Sequence, residues 1–310
     1  MDEAEWVPRA EAHARRVEPW VRRRLDRRAR GESHAVEDFL FEYYPYSPAK
    51  LSTWHPGHGI VLRGGRARPY LQLTGYRPEG DGVTADITVL EPRRQRLELA
   101  VRILEGIGSR PASTGCFGLH EWAMVYRLPQ EDVRHASLPL RLPVDEIAST
   151  VDGIGLRCTH IDAFRFFTPE AQPLNAHQPT RKRQPEMDQP GCLHASMDLY
   201  KYAFWFSPLV PSDLVMDCFE LATRARELDM RASPYDMAPF GLRPLRVETP
   251  EGRQEYVAEQ RMLMEATAPL RIRLLERLTQ LVAALGPVAS ATGDQGCGTP
   301  SESSSATISA

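Results

Sequence analysis

The sequence predicts a helix-rich α+β fold, with a single folded domain over residues 1–286 and a disordered tail over residues 287–310. Three observations predict it. Apolar residues recur at three- and four-residue spacing over several long stretches, the mark of helices with one buried face. Between Gly59 and Thr88 the pattern changes to short apolar runs separated by glycine turns, the mark of a small antiparallel β meander. Beyond Gly286 the chain is mostly Gly, Ser, Thr and Ala, too poor in large apolar groups to offset the entropy of ordering.

The first helix is expected from about Arg9 to Arg30, with Pro8 at its start and Gly31 at its end. It carries nine arginines against Glu11, Glu18 and Asp26, and a thin apolar stripe of Val17, Trp20, Val21 and Leu25. His34 to Tyr44 reads as a buried aromatic segment, followed by breaks at Pro45, Pro48 and Pro56. The meander strands are Ile60–Leu62, Tyr70–Leu73 and Val83–Val89, with turns at Gly64-Gly65 and Gly80-Asp81-Gly82. Leu97, Ala100, Val101, Leu104 and Ile107 form a helical face. Leu156 to Phe167 alternates like a strand, and Asn175 to Gln189 reads as a long loop. Asp198 to Phe206 is an aromatic helix. Pro211-Ser212-Asp213 is a helix start leading into Leu214, Cys218, Leu221 and Ala225. A last helical pattern covers about Glu255 to Leu285, with Pro269 starting its second half.

Composition narrows the function classes. Hydrophobic residues are 42% and charged residues 25% of the chain, near the globular average, which excludes collagen-like and wholly disordered proteins. No apolar run approaches the roughly 18 residues of a membrane span, so no membrane partner is expected. The acidic start, Met1-Asp2-Glu3-Ala4-Glu5, is not a signal peptide, and a cytoplasmic location is expected. Five scattered cysteines without a CxxC pair speak against a disulfide framework or a zinc finger, and no cofactor is expected. The net charge is −3, but all basic residues except Lys50, Lys182 and Lys201 are arginine, the better phosphate fork.

Chemistry concentrates in three places. Gly115-Cys116-Phe117-Gly118-Leu119-His120-Glu121-Trp122 and Gly191-Cys192-Leu193-His194-Ala195-Ser196-Met197-Asp198 echo one another, each with Gly-Cys, then Leu-His, then a helical run. In Cys158-Thr159-His160-Ile161-Asp162-Ala163-Phe164-Arg165-Phe166-Phe167, strand geometry would point Cys158, His160, Asp162, Phe164 and Phe166 one way. His120, His160, Asp162 and His194 are therefore candidate catalytic groups, as general bases or ion stabilisers. His160, Asp162 and His194 could also serve as a two-histidine, one-carboxylate metal set. Farther on, Asp229, Arg231 and Asp236 form a candidate ion network. No phosphate loop, dinucleotide fingerprint, nucleophile elbow or H-E-x-x-H helix is present.

Gly115–Arg127 (GCFGLHEWAMVYR), Gln189–Ala203 (QPGCLHASMDLYKYA) and Leu228–Asp236 (LDMRASPYD), with His34–Tyr44 and Trp54–Gly57 (WHPG), resemble a bacterial family labelled 3-methyladenine DNA glycosylase. The resemblance covers roughly residues 10 to 240, and the chain lacks the helix-hairpin-helix signature of other glycosylases. It implies a monofunctional base-excision enzyme of DNA repair, a hydrolase that removes alkylated bases from a damaged DNA duplex. Such chemistry needs rings to stack a flipped base and a carboxylate to face the developing sugar cation. Trp122, Tyr126, Phe166, Tyr200 and Tyr202 are candidates for the first and Asp162 for the second, with Glu121 or Asp198 next as catalytic carboxylates. Arg181, Lys182, Arg183, Arg23 and Arg27 are candidates for holding DNA phosphates. The alternatives are a metal-dependent enzyme acting on a small aromatic or nucleoside-like substrate, and a non-enzymatic nucleotide-responsive binding protein.

Overall fold

The computed structural model describes residues 1–133 and 137–287. The chain starts in α1 (Glu3–Ala29), continues through the short α2 (Phe39–Glu42) and α3 (Pro48–Ser52), and then forms the sheet. β1 (Val61–Leu62), β2 (Tyr76–Glu79) and β3 (Gly82–Ala85) are antiparallel in the order β1-β3-β2, with Val61 opposite Thr84 and Pro78 opposite Val83. Gly80, at φ +58°, takes the left-handed turn position of the β2–β3 hairpin. Pro78 is tolerated because β2 is an edge strand. The rest is helical: α4 (Arg94–Ser109), α5 (Leu119–Ala123), α6 (Val144–Ile154), α7 (Ile161–Phe164), α8 (Gln184–Met187), α9 (Leu193–Trp205), α10 (Ser212–Ala232) and α11 (Pro250–Leu285). The chain is thus a helix-rich α+β domain with one small sheet.

α9 is the axis of the packing. It is buried along its length from Leu193 to Phe204, held between α10 and α11. α11 lies across α4, α9 and α10, and α4 packs on α8. The main apolar core runs through all of these helices. A smaller cluster of Trp6, Val7, Trp54, Leu62, Ala67 and Val83 fixes the start of α1 to the sheet. Among the described residues, no helix is long and apolar enough to cross a membrane.

Several elements differ from the sequence expectation. α1 begins at Glu3, and Pro8 and Pro19 both lie inside it. Tyr70–Leu73 is not a strand, because residues 65–72 form a 3₁₀ helix. Its Leu71 and Leu73 are exposed, while the Tyr70 hydroxyl donates to the Trp54 carbonyl at 3.0 Å. α11 is one continuous helix with Pro269 inside it, started by the Thr249 side chain accepting from the Gly252 amide. The Asn175–Gln189 loop contains the turn of helix α8. Of the predicted tail, residues 288–310 lie outside the described residues.

The Leu156–Phe167 segment is extended only in its first half. Leu156, Cys158, His160 and Asp162 are buried, as strand alternation requires, but the chain turns into α7 at Ile161. Leu156 makes a single bridge to Asn175, whose side-chain amide holds the Cys158 backbone at both its amide (2.7 Å) and its carbonyl (2.9 Å). A side-chain clamp therefore replaces a neighbouring strand.

Candidate functional site

α9 carries His194, Asp198 and Lys201 at i, i+4 and i+7, a polar stripe on one face of a buried helix. That face meets the extended arm before α7. His160 Nε2 shares a hydrogen bond with Asp198 Oδ2 at 3.3 Å and lies 3.7 Å from Asp188. Lys201 Nζ pairs with Asp198 and lies 3.4 Å from Asp162 Oδ2. Arg181 grips both oxygens of Asp162. Burial pushes the Asp162 carboxyl up, but the Arg181 hydrogen bonds and the Lys201 ammonium outweigh it and hold the group well below the usual carboxylate range. Asp198 is wholly buried, yet Lys201 and His160 bring it down to about 2. Both carboxylates are therefore ionised at neutral pH. His160, Asp162 and Asp198 lie close enough to share an ion, but Lys201 already neutralises that set.

The other side of His194 faces α5 and α10. The His120 and His194 rings are 4.6 Å apart edge to face, and His194 and His160 are 5.3 Å apart and stacked. His120 Nε2 lies 2.6 Å from Asp229 Oδ1, and its Nδ1 lies 3.8 Å from Cys116 Sγ. Arg226 Nη1 donates to Asp229 Oδ2 (3.0 Å) and to Glu121 Oε1 (2.8 Å), with its guanidinium 4.0 Å over the Phe39 ring. Burial disfavours charge on both histidines. Asp229 overrides this at His120 and holds it well above the usual range, whereas His194, beside two other histidines, falls well below it.

Two glycines make this geometry possible. Gly118, at φ +73°, is the left-handed residue before α5 and packs against Ala232 and Tyr256. Gly191 runs so close to the Ser113 carbonyl that a Cβ there would lie 2.4 Å from its oxygen. The Gln189 side chain accepts from both the Ser113 and the Gly191 amides at 2.8 Å, which joins the two Gly-Cys segments.

The polar chain ends in two different spaces. On the His120 side is a small cavity of about 10 Å³, bordered by three cysteines (Cys116, Cys158 and Cys192), His120, His194, Arg157, Tyr256 and Gln260. That is room for a single water. On the Asp162 side is an open cleft of about 190 Å³ between α4 and α9. Asp162, Lys201, Gln184 and Tyr202 form its inner side, Leu99, Ala100 and Ile103 its apolar wall, and Arg96, Arg181 and Trp205 its rim. Arg96 stacks on Trp205 at 4.9 Å.

The six catalytic candidates divide between the two ends. His160, Asp162 and Asp198 stand with Lys201 on the cleft side. His120 and Glu121 stand with Asp229 and Arg226 on the cavity side, and His194 links the two groups. Of the ring candidates, only Tyr202 lines the cleft. Trp122 is fully buried, its Nε1 donating to the Ala232 carbonyl, and Tyr126 donates to Asp152 at 2.8 Å. Tyr200 is packed among Tyr44, Phe204 and Phe219. Phe166 lies under Arg165. Among the basic candidates, Arg181 and Arg183 are half-exposed and Lys182 is exposed. Arg23 and Arg27 pair with Glu37 and Asp38 and tie α1 to the turn before α2. The expected ion network does not form as such: Arg231 pairs with Glu259, and Asp236 accepts from the Ala238 amide.

Sequence reasoning left Arg226, Lys201 and Asp188 out of the candidate site and read Asp229 only as part of an ion network with Arg231 and Asp236. Lys201 could have been found from its spacing to His194 and Asp198. Another available signal is that Cys116, Cys158 and Cys192 are each followed within four residues by a histidine, and that all three histidines converge. Comparison with family models, curated proteins and solved structures finds no match to this chain.

Proposed function

We propose that the chain removes alkylated purines from DNA as a monofunctional N-glycosylase, with the cleft between α4 and α9 as its base pocket. The observation that carries this reading is Asp162, an ionised carboxylate opening onto a cleft of about 190 Å³ beside the rings of Tyr202 and Trp205. An N-alkylated purine is cationic and leaves readily, so the protein must extrude the nucleotide, stack the base and stabilise the sugar cation. Asp162 is suited to the last task because its charge matters most as the sugar becomes positive. Arg181 is half-exposed and bound to Asp162. A DNA phosphate would compete for its guanidinium and leave the carboxylate less neutralised when substrate is bound.

The test is release of free 3-methyladenine from methylated duplex by the purified chain, with DNA affinity measured alongside at several salt concentrations. Asp162→Asn should leave affinity nearly unchanged and cut release by about 100-fold or more. Replacing Arg181, Lys182 and Arg183 by alanine should weaken binding and flatten its salt dependence. A wild-type chain that neither binds DNA at low salt nor releases the base refutes the reading.

A second reading is favoured by the charge of the same cleft. Arg96, Arg181 and Lys201 face it against the single carboxylate of Asp162, a balance that suits a free nucleotide or another anionic planar ligand. Binding of mononucleotides without catalysis, lost in Arg96→Ala, would support that reading over base excision.

A further inference from the structure

His120, His194 and Asp229 do not line the cleft assigned to base excision, and base excision leaves them without a task. Three facts set them apart from an ordinary buried ion pair. The ligand-capable atoms of His120, His194 and Asp229 all lie within 4.8 Å of one another, on three separate helices, α5, α9 and α10. All three side chains are buried. His120 Nε2 and Asp229 Oδ1 are 2.6 Å apart, yet neither atom has an aligned hydrogen-bond partner. Buried polar atoms are nearly always satisfied, so two adjacent orphans require an explanation. An ion bound by both atoms supplies one.

We propose that His120, His194 and Asp229 bind one divalent transition-metal ion, of the zinc or ferrous class, that ties α5, α9 and α10 together. Two imidazoles and one carboxylate are a set used for both ions. The surroundings already do what a metal site needs of its outer shell. Cys116 Sγ, 3.8 Å from His120 Nδ1, orients the ring so that Nε2 faces Asp229. Arg226 holds the far oxygen, Asp229 Oδ2, at 3.0 Å and leaves Oδ1 to the ion. The neighbouring cavity of about 10 Å³, which both histidines border, has room for one water as a further ligand. Nothing comparable holds for His160, Asp162 and Asp198, where Lys201 supplies the positive charge.

The experiment uses the full chain, purified without affinity metal. Elemental analysis is made as isolated and after chelator stripping followed by Zn²⁺, Fe²⁺ or Co²⁺, and melting is followed with and without the ion. About one ion per chain is expected, with a melting midpoint raised by the ion. His194→Gln should lose the ion. Cys116→Ala should bind it about tenfold more weakly as a positioning change. His160→Gln, outside the ligand set, should keep full stoichiometry. The cobalt form of the wild-type chain should show ligand-field bands without a thiolate charge-transfer band. Stoichiometry below about one ion in ten chains in every preparation overturns the proposal. Full retention in His194→Gln overturns it equally. A thiolate-to-cobalt band also overturns it, because it would place the neighbouring cysteines in the coordination sphere. This last measurement needs no variant to fold, and none of these readouts depends on base release.

Discussion

Replacing Arg226 by methionine removes one guanidinium from a place where no solvent can substitute for it. Arg226 is 2% exposed, Glu121 3% and Asp229 0%. The guanidinium donates to one oxygen of each carboxylate, at 2.8 and 3.0 Å, and its flat face covers Phe39. Methionine conserves most of the aliphatic stem and much of the volume, so the packing loss is small. What remains is two carboxylates in the interior without the guanidinium they share. Breaking a buried ion pair by removing one partner costs about 3–5 kcal/mol. For a chain of this size that corresponds to a fall in melting midpoint on the order of 10 °C. Adding Glu121→Gln to Arg226→Met removes one of the stranded charges, so the double variant should recover about 1–3 kcal/mol relative to the sum of the single effects. Urea unfolding followed by far-ultraviolet circular dichroism gives all four free energies. A single-variant loss below about 1 kcal/mol, or strict additivity in the cycle, would refute the view that this triad holds α5 to α10.

Other outcomes follow from the same structure. His55 is buried against Tyr76, with Nδ1 sharing a hydrogen bond with the hydroxyl at 2.9 Å, and burial lowers its pKa from 6.5 to about 4. The unfolded chain then binds a proton at this site below pH 6.5 that the folded chain refuses until about pH 4. Stability from this group is therefore full above pH 6.5 and falls as pH drops toward 4, by about 3 kcal/mol in total. His55→Gln should shallow the pH dependence of unfolding by that amount, and an unchanged slope would contradict the assignment. Gly191→Ala drives a methyl into the Ser113 carbonyl, so it should cost about 1–3 kcal/mol in chemical denaturation, whereas Gly115→Ala, facing only Arg157, should cost under about 1 kcal/mol.

The long helices α1, α4, α9, α10 and α11 were legible because each states its own periodicity, whereas α6 was not foreseen. Pro211 and the apolar spacing from Leu214 mark α10 to within a residue of its observed start, and Leu97 to Ile107 mark α4. The sheet was legible at the Gly80 turn and the start of β3, but β2 was not foreseen, and the strand expected over Val83–Val89 ends at Ala85, before a 3₁₀ helix over Ile87–Arg93. It was not legible at Tyr70–Leu73, where a single long-range hydrogen bond from Tyr70 to Trp54 and the exposure of two leucines decide the outcome. Cys158, His160 and Asp162 were legible as an inward-facing set, but the turn into α7 was not, since a four-residue helix has no period to read. Asp229 was read as part of an ion network with Arg231 and Asp236, and its actual partners stayed hidden for a different reason. Its partner His120 is more than a hundred residues away, and on α10 it looks like any polar residue beside an arginine. Only folding reveals that α10 turns Asp229 toward the core. Arg181 misleads in the opposite direction: in sequence it belongs to an exposed basic run, yet its guanidinium is committed to Asp162.

The position of α11 sets an order of events during synthesis. Its Tyr256 and Gln260 form one side of the small cavity, and the Gln260 side chain donates to the Gly191 carbonyl. Leu274, Leu278 and Leu281 complete the buried face farther along. All of α11 leaves the ribosome after the segments that carry Cys116, His120, His194 and Asp229. At about 5–20 residues per second, its 36 residues take several seconds to make. During that interval α9 and α10 can already pair, while the cavity has no outer wall. Anything destined for that space therefore meets a wider mouth before α11 docks than after, because Tyr256 and Gln260 are then absent.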